Sequence, residues 1–399
     1  MKDFYFDYAG TTPVSEDVYK EMEPYLREEF GNASSIYKKG REAKEVLEDA
    51  RKKIADVIQT DPSEIIFTSG ATEASNLAIR GTAFFAKKEG RGNHIITTQI
   101  EHPSVLSTIK DLEKNYGFSA TYLPVDSHGL VNVEDIKKAI TDKTILVSVM
   151  WANNEVGTIE PILEIGETIH EINKIREAER KHKVYFHTDA VQVIQFLDIN
   201  LKEQNIDFMS ATGHKFYAPK GVGFLYARRG SQFLPQQIGG HQEKNRRAGT
   251  ENISGIAAMA KALEEVKKTK TEESKRLLFL RDKIISKISK IKDIKLTGHP
   301  EKRLPHIASF VIKYVEGESL LLRLDRKGIY AATGSACSSD SLEPSHVLLA
   351  LGVKKEIAHG SLRISLGKYT DEKQVNYLLK ELPKIIEDLR EMSSVKGDF

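Results

Sequence analysis

Phe208-Met209-Ser210-Ala211-Thr212-Gly213-His214-Lys215 is a short apolar run that turns small and polar and stops at a lysine. Comparable runs recur at Ile65 to Thr68, His94 to Thr98, Thr144 to Met150, Val184 to His187 and Val222 to Tyr226. Apolar runs that do not alternate mark strands buried on both faces, hence a sheet covered by helices on each side. Helix-period segments lie between them. Arg41 to Ile58 sets Ala43, Val46, Leu47, Ala50, Ile54, Val57 and Ile58 on one stripe, with lysines and acids opposite. The alternation predicts an α/β domain with a mainly parallel sheet. In such sheets ligands collect at the carboxyl ends of the strands, so the polar endings of these runs are where chemistry is expected.

A chain of 399 residues is too long for one ordinary core, and two domains are expected, one large and one small. After Ser254 a long helical stretch, rich in Ala and Leu and then in charge, leads away from the alternating region into the second domain. That domain is expected to hold strands near Ile307 to Lys313, Ile329 to Ala332 and Leu362 to Leu366, closed by a helix from about Asp371 to Met392. Lys plus Arg of 59 against Asp plus Glu of 57 leaves a formal net charge of +2, which argues against a chain-wide field for nucleic acid or membrane. The acidic start, Met1 to Asp7, does not read as a signal peptide, and no apolar run has membrane-helix length. One cysteine permits no internal disulfide, and a free thiol fits a reducing compartment, so a soluble, cytoplasmic chain is expected.

That cysteine, Cys337, sits in Gly334-Ser335-Ala336-Cys337-Ser338-Ser339, too small and polar a run for packed core. Lys215 has a glycine-containing approach between strands, and confinement of its amine favours the neutral, nucleophilic form. Asp189, at the end of the preceding strand, can keep a pyridine nitrogen protonated, and Gln192 just beyond can donate to a ring oxygen. Ser69-Gly70-Ala71-Thr72-Glu73 follows a strand and opens a helix, which offers free amides and the Thr72 hydroxyl to a phosphate; the same pattern also serves as an ordinary helix cap. His102, stiffened by Pro103, can lie over a planar cofactor. Asn154 offers an amide to a carboxylate or phenolate. Arg363, inside an alternating strand, has the fork geometry for an amino-acid carboxylate or for a structural ion pair. A lysine, an aspartate and an exposed thiol together suggest Schiff-base chemistry delivered to sulfur.

Taken in order, these segments resemble the pyridoxal-phosphate cysteine desulfurases of the class V aminotransferase family, in the group with a long cysteine loop. The resemblance runs from Asp7-Tyr8-Ala9-Gly10-Thr11-Thr12-Pro13 through Phe30-Gly31-Asn32, Thr68 to Glu73, Glu101-His102, Asn153-Asn154-Glu155, Asp189 to Gln192 and Gly213-His214-Lys215. It continues through Arg247 to Asn252, Gly334 to Cys337, Leu342 to Ser345 and Arg363 to Gly367. It implies a fold type I transferase: a large domain of residues 16–262 with a mainly parallel sheet flanked by helices, and a smaller α+β domain of 1–15 and 263–399 that carries the cysteine loop, about 333–345.

The resemblance also implies roles. Lys215 would bind pyridoxal 5'-phosphate covalently, Asp189 would partner its ring nitrogen, His102 would stack on the ring and take part in proton transfer, and Gln192 would contact its phenolic oxygen. Ala71, Thr72, Thr212 and His214 would hold the phosphate, with Thr250 supplied by the other subunit of a homodimer. Arg363, with Asn32 and Asn154, would hold the carboxylate of L-cysteine, and Cys337 would accept the sulfur as a persulfide. The implied onward partners are an iron-sulfur scaffold or a tRNA-thiolation enzyme, with no metal at the site and no direct nucleic-acid contact. Ala33, Gly10 and Ala248 depart from the residues usual at their positions, and none of these changes removes a reacting group.

Overall fold

The computed structural model describes residues 3–334 and 343–392. Its strands are β1 (Phe4–Tyr5), β2 (Ile65–Thr68), β3 (His94–Thr98), β4 (Ser119–Leu123), β5 (Thr144–Ser148) and β6 (Tyr185–Asp189), followed by β7 (Phe208–Thr212), β8 (Gly223–Ala227), β9 (Ile294–Leu296), β10 (Ile307–Ile312), β11 (Ile329–Tyr330) and β12 (Ser361–Ser365). Seven of them form one sheet in the order β2-β8-β7-β6-β5-β3-β4. The pairs from β7 through β6, β5 and β3 to β4 are all parallel, whereas β8 runs antiparallel to both β7 and β2. The reason is local: the turn from Thr212 to Gly223 is too short for a crossover helix, so the chain must double back.

Along each strand successive side chains enter opposite layers, which is what a pleated strand buried on both faces requires. Phe67, Ile96, Phe186, Met209 and Phe224 join one core with Leu47 and Ile54 of the helix Lys38–Val57 and Ile256 and Leu263 of the helix Ile253–Ile288. Ile66, Ile95, Tyr185, Phe208 and Leu225 join a second core with Leu77 of the helix Ala71–Lys88 and Ile109 of the helix Pro103–Tyr116. Each fully buried side chain of this size contributes about 1.5–3 kcal/mol, so the sheet is clamped between two apolar layers. The order of the strands creates the site. From β3 the chain goes outward to β4, then returns across β3 to lay down β5, β6 and β7 on the other side, and this reversal opens a crevice at the strands' carboxyl ends.

The remaining strands build the other wall. β10 lies between β12 and β9, antiparallel to both, and β1 pairs parallel with β11. The N-terminal segment then crosses toward the lysine turn: Ala9 N–H donates to Ser365 Oγ (2.9 Å), and Thr12 N–H donates to the carbonyl of His214 (2.9 Å). The helix Glu372–Met392 packs Val375, Leu378, Leu382 and Ile386 inward. Sequence patterning does not reveal β4 and β9: β4 is an edge strand with one fully buried residue, and β9 is three residues long and partly exposed.

Candidate active site

A cavity of about 650 Å³ opens at the carboxyl ends of β2, β3, β5, β6 and β7. Lys215 enters it from a single 3-10 turn, Gly213–Lys215, directly after β7. The turn closes tightly; a Cβ on Gly213 would stand 3.0 Å from Ala218 Cβ and 3.1 Å from Val222 Cγ1. Lys215 Nζ donates to the carbonyls of Ala9 and Gly10, each at 2.6 Å, so the N-terminal segment holds the amine at the cavity wall. Beside it His214 Nδ1 meets Thr11 Oγ1 at 3.1 Å. Burial, with Lys215 and Lys220 adding to it, lowers the His214 pKa to about 4, so this ring is neutral near pH 7.

Asp189 ends β6 with 5% exposure, and its Oδ1 accepts from Val191 N–H at 3.0 Å. Burial raises its pKa, against the pull of His102, the Val191 amide and Lys215. His102 caps the helix Pro103–Tyr116, and its Nδ1 accepts from Ser104 N–H at 3.1 Å. An amide can only donate, so the neutral ring carries its proton on Nε2. Burial lowers the His102 pKa and Asp189 opposes that shift. A buried acid, a neutral imidazole and a lysine therefore share one wall.

The opposite end is an anion cradle. The helix Ala71–Lys88 starts at Gly70, which supplies no side-chain cap, so its first amides face the cavity together with Thr72, Thr212 and His214. Two glycine backbones meet behind it: a Cβ on Gly223 would lie 2.7 Å from Gly70 Cα and 2.5 Å from the carbonyl oxygen of Ala211. Burial alone would raise the pKa of Glu73, on the first turn of this helix; hydrogen bonds from Arg247 Nε (2.7 Å) and Ser69 N–H (2.7 Å) outweigh burial and lower it. Uncapped helix amides, a buried carboxylate and a lysine on one cavity fit a phosphorylated pyridine aldehyde. Ala71, Thr72, His102, Asn154, Asp189, Gln192, Thr212, His214 and Lys215 all line this one cavity. Gln192 Nε2 donates to the carbonyl of Ala9 at 3.1 Å.

Arg363, 2% exposed in the middle of β12, reaches the same cavity from the other wall. It donates to Asp7 Oδ1 (2.7 Å) and to the carbonyl of Asn154 (3.0 Å), and its Nε is buried without a hydrogen-bond partner among the described residues. Asn32 is not among the residues that line the cavity; its Oδ1 accepts from Ser34 N–H at 2.9 Å, within its own loop. Thr250 is exposed and also outside the lining, and Cys337 lies outside the described residues. Sequence reasoning gave no role to Asp7, the ion-pair partner of Arg363. An acid among aromatic residues near the chain start carries no spacing signal, and the pair joins positions 356 apart.

A family model for class-V aminotransferases matches residues 4–378. The cysteine desulfurase IscS of Dictyoglomus turgidum is 49% identical over 399 residues, which is 100% of this chain and 98% of that protein. That of Methanosarcina thermophila is 49% identical over 392 residues, 98% of this chain and 94% of its own. Among solved structures, a NifS-like protein superposes with a TM-score of 0.89 at 38% identity, covering 97% of this chain and 100% of its own. SspA in complex with cysteine gives a TM-score of 0.80 at 34% identity, covering 93% of this chain and 100% of its own. The chain belongs to the class-V aminotransferases, and within them to the pyridoxal-phosphate-dependent cysteine desulfurases.

Proposed function

We propose that this cysteine desulfurase transfers the sulfur of L-cysteine to Cys337 and releases L-alanine, with the roles of its residues divided as follows. Arg363 binds the substrate carboxylate through its fork, aided by the Asn154 amide, which lines the same cavity; Asn32 would join them only if its loop turned the amide inward. Lys215 removes the Cα proton, and its tether to the Ala9 and Gly10 carbonyls returns the amine to one place after each turnover. Pyridoxal phosphate, when bound, supplies an electron-poor ring that accepts the electrons released at Cα. Asp189 would hold the proton of the ring nitrogen, His102, with its proton on Nε2, would lie against the ring, and Gln192 would donate to the ring oxygen. Ala71, Thr72, Thr212 and His214 would hold the phosphate. The Cys337 thiolate attacks the substrate sulfur; an S–S bond forms, the C–S bond breaks, and the carbon skeleton leaves as alanine. Cysteine plus thiol become alanine plus persulfide, so no outside oxidant or reductant is required.

The observation that carries this reading is the convergence of Lys215, Asp189, His102 and Arg363 on one cavity. A homodimer is part of it. Exposed Phe30, Ile36 (90%), Tyr37 and Ile238 (87%) favour a partner surface, and exposed Thr250 is free to complete the partner's phosphate site. The division into 16–262 against 1–15 plus 263–399 accords with the separate sheets, the helix Ile253–Ile288 running through the junction. Sulfur then passes to an iron-sulfur scaffold or a tRNA-thiolating enzyme in the cytoplasm; no described helix is long and apolar enough to cross a membrane. Incubation of the pyridoxal-phosphate-loaded enzyme with L-cysteine, with alanine and keto acid both quantified, tests the reaction class. Alanine formed without consumption of a keto acid supports it; amino-group transfer to a keto acid would replace it with an aminotransferase.

A further inference from the structure

Glu155 lies one residue beyond Asn154, 7% exposed and behind the wall of the cavity. The turn that presents it is rigid: Asn153 Oδ1 accepts from Glu155 N–H (2.8 Å) and Val156 N–H (3.0 Å), while Asn153 Nδ2 donates to the carbonyl of Ile100 (2.9 Å). Glu155 Oε2 accepts a hydrogen bond from Ser345 Oγ. The same hydroxyl accepts from Leu348 N–H at 3.3 Å, which caps the helix His346–Ala350. On the other side, a Cβ on Gly334 would stand 2.8 Å from Glu155 Oε2 and 3.3 Å from Ser345 Cβ. Gly334, Glu155 and Ser345 are thus in mutual contact, so the chain leaves at Gly334 and returns at Ser345 against one carboxyl group. In sequence, the residues between these two include Cys337.

The base of this segment is also tied to Arg363. Ala332 exchanges both backbone hydrogen bonds with Arg363, N–H to carbonyl at 3.2 and 2.6 Å. Arg363 Nη1 donates to the carbonyl of Asn154 at 3.0 Å, and Gly334 N–H donates to Ser361 Oγ at 3.2 Å. We propose that Glu155 is a positioning residue that clamps both ends of the Cys337-bearing segment and registers them against the arginine that binds substrate. Burial raises its pKa to about 7, and either protonation state can keep the Ser345 bond, the carboxylate by accepting and the acid by donating. The inference rests on the reading that Cys337 takes the sulfur. A small displacement of the segment's base shifts every approach of that thiol to the substrate, whereas it leaves the cofactor's contacts with β6 and β7 in place.

The test is single-turnover reaction of the pyridoxal-phosphate-loaded enzyme with L-cysteine. Persulfide on Cys337 is followed by quenched mass spectrometry, and substrate binding by the absorbance change of the cofactor. Glu155→Ala is expected to slow persulfide formation by about tenfold or more, with the concentration dependence of the absorbance change unaltered. Glu155→Gln, whose amide oxygen still accepts from Ser345, should stay within about threefold of the wild type. Ser345→Ala should reproduce the slowing and serves as the test if Glu155→Ala does not fold. Persulfide formed at the wild-type rate in the alanine variants, or slowed only in proportion to lost cofactor or weakened substrate binding, would overturn the role of Glu155. Alanine made by the wild-type enzyme with no sulfur on Cys337 would instead overturn the reading beneath it.

Discussion

The two walls of the cavity are built in different ways. On the cofactor side, Asp189 and Lys215 extend directly from neighbouring parallel strands, and His102 follows the strand that lies next to β5. Asp189 closes a fully buried strand and Lys215 and His102 follow one within a few residues, so their positions are inherited from the sheet. On the substrate side, Arg363 is held by Asp7 from the chain's start and by the Asn154 carbonyl from the turn after β5. The first wall draws its residues from the ends of strands in the seven-stranded sheet; on the second, β12 fixes the arginine's backbone while segments far apart in sequence aim its guanidinium. Chemistry at the substrate Cα should therefore depend on single residues, whereas delivery of sulfur should depend on pairs.

Lys215→Ala is expected to have the largest effect, a loss of alanine formation of about a thousandfold or more in a chromatographic assay, because the residue proposed to move the Cα proton is gone. A rate retained within tenfold would remove the lysine from its role. Next comes Arg363→Ala, which should raise KM for L-cysteine by about tenfold to a hundredfold while the loaded enzyme keeps its cofactor absorbance. Loss of cofactor in that variant would erase the distinction between the two walls.

A smaller effect concerns Asp189. Its charge raises the His102 pKa against burial, so Asp189→Asn should lower the already depressed value further, as read from the imidazole resonance by NMR titration. An unchanged value would show that the two do not share an electrostatic site. The mildest test is of the frame. Glu160, 3% exposed, has a pKa raised by burial to about 8. A carboxyl group whose folded pKa lies above its unfolded value adds stability at low pH and loses it as pH rises through the folded value. Stability should accordingly fall between about pH 4.5 and pH 8 by on the order of 4 kcal/mol from this group, and Glu160→Gln should flatten that fall in urea titrations. A slope identical in the variant would assign the pH dependence elsewhere.

The same contrast explains what could be read from the sequence. The runs at Ile65 to Thr68 and His94 to Thr98 correspond residue for residue to strands, and the chemistry at their polar ends lies where an α/β sheet places ligands. Asp189 and Lys215 were legible because a polar residue that closes an apolar run has few structural reasons to be there. Arg363 was visible as a charge inside a strand; it forms the ion pair that one reading expects, with Asp7, and it lines the cavity, where carboxylate binding remains a proposal. Asp7, Glu155 and Ser345 were not legible as partners. Ion pairs and caps between distant segments leave no periodicity, and only the fold brings them together. The strand at β8 was located to within a residue, but its antiparallel direction follows from the tightness of the lysine turn and not from its composition.

Whether Lys215 and Cys337 act in one reaction is decided by intact-protein mass spectrometry after incubation with L-cysteine, with alanine quantified in the same tube. A mass gain of one sulfur mapped to Cys337, equimolar with alanine in a single turnover and absent in Lys215→Ala, is the expected result. Alanine released at the wild-type rate by Cys337→Ser, or sulfur gained by the Lys215→Ala chain, would contradict it.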